Sequence, residues 1–398
     1  MIPTGALPAS PEVSVGRVKH PCDVYLLTAF AGLVILGLVM VASASVTAAE
    51  KEGRDPLYFL WRQTVSVGLG LGVAYAVLRT PTRVLRKLST TFALFLAIAL
   101  LAAALVPGLG VESHGAMRWL RVGPVSFQPS ELAKVLAILY LAGFIDRHAE
   151  AVRATTSGLL RPIAVLTIVW ALLYVEPDYG AMVVLIATTL GMLFLGGVSM
   201  ARFLAMGSLA FVALAVLAVM SPHSLARIIN FMDPSANPLS GGFQLSQALI
   251  AFGRGEWFGV GLGGSVQKLF YLPEAHTDFI FAVIAEELGL LGTLLCIATY
   301  IVIVWRAFVI GAKAERAGCV FSAHLAYGLG LLIGLQGFIH MAVNMGALPT
   351  KGLTLPLVSY GGNSMLATCA AFGLLFRIDR ETRFPARSSA RTRGRYGA

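Results

Sequence analysis

The chain has 398 residues, of which 57% are hydrophobic and 13% are charged, and its mean hydropathy is +0.79. Soluble domains carry about 25% charged residues, so this composition excludes an ordinary soluble protein and favours one that crosses a membrane several times. The net charge is +10. Because the basic residues follow the loops and the tail of a membrane protein, we read that charge as a topology signal and expect no nucleic-acid partner.

Ten segments are apolar enough to be membrane helices, which need about 20 residues to cross the hydrocarbon. In chain order they are 24–46, 58–79, 90–107, 127–145, 162–177, 179–197, 202–220, 278–305, 321–345 and 363–377. The fifth and sixth are separated only by EPDYG, whose proline and charges favour a turn. The predicted fold is an all-α polytopic membrane protein with ten transmembrane helices and a large outer loop between the seventh and the eighth.

Basic residues are distributed unevenly between the two sides of this topology. An even number of spans places both termini on one side, and 20 of the 30 Lys and Arg residues fall on that side. Lys and Arg accumulate on the cytoplasmic side of membranes. We therefore predict a cytoplasmic segment 1–23, a membrane domain 24–377 and a basic cytoplasmic tail 378–398 suited to contact with membrane lipid. The loop 221–277 is predicted to be periplasmic, packed and partly helical.

Acidic residues concentrate in YLPEAHTDFIFAVIAEELG at 271–289. Asp278 lies where the loop meets a span, and two roles are open for it. Either Thr277 or Asp278 caps the helix N-terminus and favours the helix dipole, or Asp278 acts as a general base in a partly desolvated pocket. Glu274 and His276 are candidates to support such a base.

Glu286 and Glu287 lie about 12 Å deeper than Asp278 and point in different directions around the helix. A charged residue inside a span is costly and is therefore a functional candidate. We expect one of them, with Glu286 as the candidate, to line an internal cavity and the other to make a structural contact between helices.

Basic and polar residues form the second group of candidates. Glu131 and Lys134 in FQPSELAK share a helix face, which leaves two alternatives. They form a local salt bridge, or Lys134 joins other outer cations in binding an anionic group such as a phosphate. These cations are Arg62, Arg118, Arg121 and Lys351. Asp178 in EPDYG belongs either to a cavity-lining turn or to a plain outer turn, and Ser359 offers a hydrogen bond before the last span.

The residues alone favour an outward-facing polar cavity with acids on one side and cations on another. An enzyme acting on a lipid-linked anionic substrate fits this pattern, and so does a transporter or flippase of such a lipid. GVGLGG at 259–264 matches a nucleotide-binding glycine pattern, but no strand precedes it, and we interpret these glycines as permitting tight loop packing.

Four motifs in fixed order, FQPSELAK, EPDYG, LPEAHTDFIFAVIAEELG and LPTKGLTLPLVSYGG, resemble those of the SEDS family (shape, elongation, division and sporulation proteins) over about residues 24–380. PEAHTDF, KGLTLPL and EPDYG are similar to the FtsW division branch rather than to the RodA elongation branch. The sporulation members, such as SpoVE, share much of the division pattern.

The resemblance implies a peptidoglycan glycosyltransferase that polymerises lipid II into β-1,4 glycan strands with inversion, during septal wall synthesis in cell division. It places the general base at Asp278 and leaves room for a divalent cation, Mg²⁺ or Mn²⁺. The implied partners are lipid II, the growing glycan, a class B penicillin-binding protein and other divisome membrane proteins, at the septum of the bacterial inner membrane. A lipid II flippase and a non-catalytic divisome scaffold remain alternatives.

Overall fold

The computed structural model describes residues 22–113, 116–122, 125–232, 241–269, 272, 274–350 and 352–384. Fifteen helices and three strands lie in these ranges. The helices are α1 (Val24–Ala44), α2 (Val46–Lys51), α3 (Tyr58–Arg79), α4 (Thr82–Leu88), α5 (Thr91–Ala104), α6 (Pro129–Arg147), α7 (Ala149–Ala154), α8 (Thr156–Val175), α9 (Tyr179–Leu195), α10 (Met200–Met220), α11 (Pro222–Met232), α12 (Gly241–Gly255), α13 (Ile280–Arg316), α14 (Val320–Asn344) and α15 (Gly362–Arg383). The strands are β1 (Gly110–Ser113), β2 (Ala116–Val122) and β3 (Val125–Phe127).

Each of the ten predicted segments coincides mainly with one helix, in order α1, α3, α5, α6, α8, α9, α10, α13, α14 and α15. Within the described ranges, five helices (α1, α8, α10, α13 and α14) are long and apolar enough to cross a membrane. The pair α4 and α5, bent by 64°, makes a sixth candidate. The protein is thus a multi-pass helical membrane protein, and the count of ten spans stays a prediction.

At the N-termini of three helices, a short side chain accepts a hydrogen bond from a backbone N–H group. The Asp23 carboxylate accepts the Leu26 N–H before α1 at 3.0 Å. Thr155 accepts the N–H of residue 158 before α8 at 3.1 Å, and Asp178 accepts that of residue 181 in α9 at 3.1 Å. Such caps satisfy N–H groups that have no partner within the helix.

The centre of the bundle is formed by α6, α14 and the first two turns of α13, where nearly all side chains are buried. At the other extreme, α10 has no buried residue. Its Leu209 and Phe211 are 71% and 75% exposed. An apolar helix that is exposed along its length is stable only in lipid or against another protein.

The predicted all-α fold omits one element, a three-stranded antiparallel sheet in the order β1-β2-β3. Leu120 pairs with Phe127 and Arg121 with Ser126, so β3 leads directly into α6. The three strands have 4, 7 and 3 residues, and such short segments have no clear periodic signal that predicts them.

Two helices also extend beyond their predicted ends. α13 continues to Arg316 rather than 305, and α15 continues to Arg383 rather than 377. Basic side chains in the last turn of a helix interact favourably with the helix dipole, so the helices persist after the apolar pattern stops. Arg383 also reaches Asp23 at 3.1 Å, which ties the beginning of the predicted tail to the start of α1.

Candidate active site

Asp278 lies in a tight turn immediately before α13. The turn begins at Glu274, whose φ is 58°, and the Glu274 carbonyl accepts the N–H groups of residues 277–279 at 3.1, 3.1 and 3.3 Å. The Asp278 side chain does not cap α13. Asn344 of α14 serves the helix start instead, because its Oδ1 accepts the Ala282 N–H at 3.1 Å. The first of the two sequence alternatives for Asp278 is therefore wrong.

The Asp278 carboxyl group is half-buried, and no hydrogen-bond donor is bound to it in the part of the chain that the structure describes. Burial, followed by the nearby Glu274 charge, raises its pKa to about 7, although Arg227 and Arg118 act in the opposite direction. A β-carbon on Gly352 would lie 3.3 Å from Asp278 Oδ2, so glycine keeps that side of the carboxylate uncrowded. A carboxyl group with a pKa near 7 is suited to general-base catalysis at neutral pH.

Two arginines supply positive charge near this carboxylate. Arg118 lies on β2 and Arg227 on α11, and both influence Asp278 through space. Desolvation by the surrounding protein is the first cause that lowers the pKa of Arg227, although its side chain stays exposed, and the like charge of Arg118 lowers it further. Two neighbouring guanidinium groups repel each other until an anion lies between them, and guanidinium matches phosphate oxygens well.

The EPDYG turn positions Arg118 and joins α6 to α9. Arg118 Nε donates to the carbonyl of Glu176 at 3.0 Å. Asp178 accepts from Ser130 Oγ at 2.8 Å and from Gln128 Nε2 at 3.3 Å, in addition to capping α9. The Asp178 carboxylate is thus fully occupied by contacts that hold the bundle together.

Glu176 differs from its neighbour because its carboxyl group is buried and has no hydrogen-bond partner among the described residues. Burial raises its pKa to about 8, with a further contribution from the Asp178 charge, while Arg118 acts in the opposite direction. A buried carboxyl group without a partner avoids the cost of a buried charge by staying protonated. Glu176 is therefore neutral at pH 7.

Lys134 belongs to a buried chain of hydrogen-bonded side chains and does not lie on the surface. Its Nζ donates to Glu131 Oε1 at 2.9 Å and to Gln336 Oε1 at 2.7 Å, and the residue is 1% exposed. Gln336 Nε2 continues the chain to the carbonyl of Thr354 at 3.1 Å. A cavity of about 10 Å³ adjoins Lys134, which is room for about one water molecule. The geometry favours the salt-bridge alternative, since Glu131 already neutralises the lysine.

Two further predicted residues, Ser359 and His276, stabilise the turn that contains Asp278. Ser359 Oγ donates to the carbonyl of Thr277 at 2.7 Å. The His276 ring packs against Phe59 at 4.8 Å and Tyr360 at 5.5 Å between ring centroids. Burial lowers the pKa of His276, so this ring is a neutral packing element at pH 7.

The remaining predicted cations lie in different surroundings. Arg62 is exposed and its Nη1 donates to Tyr58 Oη at 3.1 Å. Arg121 is exposed on β2. Lys351 lies outside the described residues. In those residues, no three His, Cys, Asp or Glu side chains come together in a group that could hold a metal ion, and we assign no residue to one.

Glu286 and Glu287 are both fully buried, and both accept hydrogen bonds from the loop that precedes α13. Glu286 accepts from Arg254 Nη1 and from the Val266 N–H, each at 3.0 Å. Glu287 accepts from Lys268 Nζ at 2.6 Å and from Ser43 Oγ at 2.7 Å. The expectation that Glu286 lines an open cavity is corrected, because the loop donors surround its carboxylate.

The FtsW/RodA/SpoVE family model, described as "Cell cycle protein", matches residues 24–384. The chain belongs to this family. It is 54% identical to the "Probable peptidoglycan glycosyltransferase FtsW" of Nitrosococcus halophilus over 376 residues, which are 94% of this chain and 97% of that relative. It is 52% identical to the protein of the same description from Thioalkalivibrio sulfidiphilus over 366 residues, 92% of this chain and 91% of the relative.

Solved structures of the FtsW/RodA/SpoVE fold agree with this assignment. A chain from the structure described as "Structural coordination of polymerization and crosslinking by a peptidoglycan synthase complex" has a TM-score of 0.75 and 30% identity, covering 92% of this chain and 99% of that one. The Thermus thermophilus rod shape determining protein RodA has a TM-score of 0.65 and 28% identity, covering 90% and 97%. The SEDS resemblance and the predicted helical membrane architecture are thereby confirmed.

In this FtsW/RodA/SpoVE protein, the structure brings Glu274 and Arg118 within electrostatic reach of Asp278. Sequence reasoning missed Arg227 and Asn344. Arg227 lies in the long loop, in SLARIINF, where a single arginine on an amphipathic segment reads as an ordinary surface charge. Asn344 ends an apolar helix, and only the tertiary structure shows that it serves another helix.

Proposed function

We propose that the protein is a peptidoglycan glycosyltransferase that polymerises lipid II into β-1,4 glycan strands for septal wall synthesis. The observation that carries the proposal is the Asp278 carboxyl group, which is partly accessible, has a pKa raised to about 7 and lies near two arginines. Family membership and the description of the 54% identical relative support the same reaction.

Asp278 acts as the general base in this proposal. It removes the proton from the 4-hydroxyl of the incoming lipid II GlcNAc while that oxygen bonds to the anomeric carbon of the growing glycan. The bond from that carbon to the pyrophosphate breaks, and the α-linked centre inverts to β. A positioned base contributes about 10²–10⁴ in rate.

Arg118 and Arg227 stabilise the negative charge that develops on the leaving pyrophosphate. Both already act electrostatically on Asp278, so an anion bound between them lies close to the base. Such preorganised charge is worth most in a site that excludes water. Arg62, Arg121 and Lys351 stay candidates for the outer parts of the same substrate, whereas Glu131 and Lys134 shape the bundle behind it.

The proposal extends to partners and location. The solved complex with a TM-score of 0.75 is described as coordinating polymerisation and crosslinking. We infer that this chain works with a class B penicillin-binding protein and other divisome membrane proteins, at the division septum of the inner membrane. Both termini are cytoplasmic in this topology, so that loop 221–277 and Asp278 face the periplasm.

The test uses purified protein with its transpeptidase partner and labelled lipid II. The wild-type protein forms glycan, and Asp278→Asn, which keeps the shape and loses the base, forms none. Glu256→Gln, at an exposed position outside the Asp278 turn, is the matched control and retains activity. Normal polymerisation by Asp278→Asn contradicts the base assignment.

The two alternatives give different results in the same system. A flippase moves lipid II across vesicle bilayers without forming glycan. A scaffold forms no glycan in any variant, and Asp278→Asn then still supports division in cells.

A further inference from the structure

The helical hydrogen bonds of α13 are interrupted within its length. A loop that precedes α13 supplies other partners for the backbone groups at this point. Gly289 has φ 68° and ψ −164°, which interrupts the helical hydrogen bonds. Segment 256–261 supplies the missing partners. The bonds are Val260 N to Glu286 O (2.9 Å), Gly261 N to Glu287 O (3.1 Å), Leu290 N to Glu256 O (2.9 Å) and Leu291 N to Trp257 O (3.2 Å). The loop therefore lies directly against α13 at the level of the break.

Glycines make this close contact possible. A β-carbon on Gly259 would lie 2.1 Å from the Glu287 carbonyl oxygen, and one on Gly289 would lie 2.3 Å from the Gly259 nitrogen. Either would collide with backbone that cannot move aside. Packing against α13 thus requires Gly259 of GVGLGG, whereas Gly261 and Gly263 have open space around them and are favoured by their positive φ of 92° and 80°.

Most of the loop's polar groups are directed into the protein. Arg254 and Lys268 pair with the buried Glu286 and Glu287. The N–H groups of residues 265–267 bond to the same two carboxylates at 3.0–3.4 Å. Backbone that enters lipid must have its hydrogen bonds satisfied within the protein, and in residues 257–262 the N–H groups of residues 259–261 and the carbonyl groups of Trp257 and Gly261 are bonded in this way.

The loop's large apolar side chains are directed outward. Trp257, Phe258 and Leu262 are 65%, 78% and 62% exposed. Soluble surfaces rarely expose a contiguous group of such side chains. We call residues 257–262 the wedge.

The surroundings of the wedge indicate what covers it. Leu291 and Leu295 of α13 are 50% and 70% exposed, and Leu291 is bonded to the Trp257 backbone. The break lies about 14 Å along the helix from its start at Ile280, at 1.5 Å per residue. The wedge is therefore continuous with the apolar side of a helix that crosses the membrane. Arg254 and Glu256, which remain partly accessible, lie at its polar edge.

We propose that the wedge inserts into the bilayer beside α13, with phospholipid acyl chains as its occupant. Trp257 at the polar edge matches the preference of tryptophan for the interface between head groups and hydrocarbon. Since α12 precedes the wedge and the Asp278 turn follows it, insertion holds both at a constant depth relative to the membrane surface.

Site-directed fluorescence in partner-free vesicles tests this inference. The accessible Cys22 and Cys319 are replaced by Ser, whereas Cys296 and Cys369 are buried and stay unlabelled. A fluorophore is attached at Phe258→Cys or Leu262→Cys, with Leu295→Cys as the lipid-facing reference and Glu52→Cys, in an exposed polar turn, as the aqueous reference. Vesicles contain either ordinary phosphatidylcholine or phosphatidylcholine with brominated acyl chains.

We expect the labels at 258 and 262 to lose most of their emission in brominated vesicles, as the label at 295 does, while the label at 52 is quenched by aqueous iodide. Quenching of the wedge labels by iodide instead places the wedge in water and overturns the proposal. Protection from both quenchers indicates a protein contact, such as a second copy, and also overturns it. Thermal unfolding of each labelled variant, compared with the unlabelled protein, verifies that the fold is retained.

Discussion

Asn344 Nδ2 donates to the backbone carbonyl of Asp278 at 2.9 Å, and Oδ1 of the same side chain accepts the Ala282 N–H at 3.1 Å. One buried amide on α14 therefore fixes both the turn with the proposed base and the first turn of α13. Because the two bonds use opposite ends of the amide, substitutions can remove them separately.

Asn344→Ala removes both bonds and leaves buried polar groups unpaired, so we expect unfolding to become easier by about 1–3 kcal/mol. We also expect turnover to fall by about tenfold or more, because a base that is displaced by about 1 Å loses much of its effect. Asn344→Asp keeps the acceptor for Ala282 and loses the donor to Asp278. The carboxylate that it introduces is fully buried and faces the Asp278 and His340 carbonyl oxygens. Asn344→Asp should therefore stay less stable than the wild type and recover little of the turnover, as measured by thermal unfolding and lipid II polymerisation. Wild-type turnover in this variant would contradict a positioning role.

The pH dependence of polymerisation follows from the pKa of Asp278, which is about 7 rather than the ordinary 3.8. A general base acts only when ionised, so we expect the rate to rise about tenfold per pH unit below pH 7 and to level above it. The stability effect has the opposite sign. The folded state binds the proton more tightly than the unfolded state, so stability from this group is lost as pH rises from about 4 through 7. A rate that is flat between pH 5 and 8 would contradict the assignment.

Arg227 and Arg118 both favour the ionised form of Asp278. Arg227→Gln should therefore shift the midpoint of the pH–rate profile upward and weaken pyrophosphate binding. A loss of about 10²-fold in rate is typical when one stabilising donor is removed. Arg121→Gln is the comparison: Arg121 lies three positions along β2, on the opposite face from Arg118, and we expect a smaller loss there. A variant at 121 that is as impaired as the variant at 227 would redirect the pyrophosphate site toward the hairpin.

How far the sequence predicts this protein depends on whether a feature is local. Apolar length predicts where the helices lie, because that signal is contained within each segment. Glu131 and Lys134 are an intermediate case, since their spacing predicts a shared helix face and leaves two alternatives, of which the salt bridge is observed at 2.9 Å. Arg227 could not be assigned in this way. It lies 51 residues before Asp278 in the chain, and only the folded structure brings it within electrostatic reach of Arg118 and Asp278.

Glu286 and Glu287 show a second limit. Helical periodicity predicts that adjacent glutamates point in different directions, and their cation partners are indeed different. Helical periodicity does not predict that the hydrogen bonds of α13 are interrupted at Gly289, where one loop contacts both glutamate side chains. The sequence marks that break only by glycines in two distant segments, whose meeting is a property of the folded chain.

The two glutamates should differ in their contribution to stability. Glu287→Gln leaves Lys268, whose side chain is 7% exposed, as an uncompensated buried charge. Removing one partner of a buried ion pair costs about 3–5 kcal/mol. Glu286→Gln leaves Arg254, whose side chain is 42% exposed and can be hydrated, so the loss should be smaller. Thermal unfolding in detergent measures both, with the exposed Glu256→Gln as the control, and a larger loss for Glu286→Gln would contradict this order.

Replacing the acidic residue Glu176 by glutamine should cost no stability at pH 7. Its pKa is raised from 4.5 to about 8, mainly by burial, so the carboxyl group is neutral at pH 7 and glutamine has nearly the same shape. Glu176→Gln should match the wild type in polymerisation at pH 7 and be at least as stable. As the pH rises from about 4.5 through 8, the folded wild type keeps a proton that the unfolded chain loses, because its carboxyl group is buried without a described partner. The wild type should therefore lose stability over this range that the variant keeps, and the difference should level off above pH 8. Unfolding curves of both proteins between pH 4 and 9 test this. A variant that is already weaker at pH 7 would show that the carboxylate is charged and paired in the folded protein.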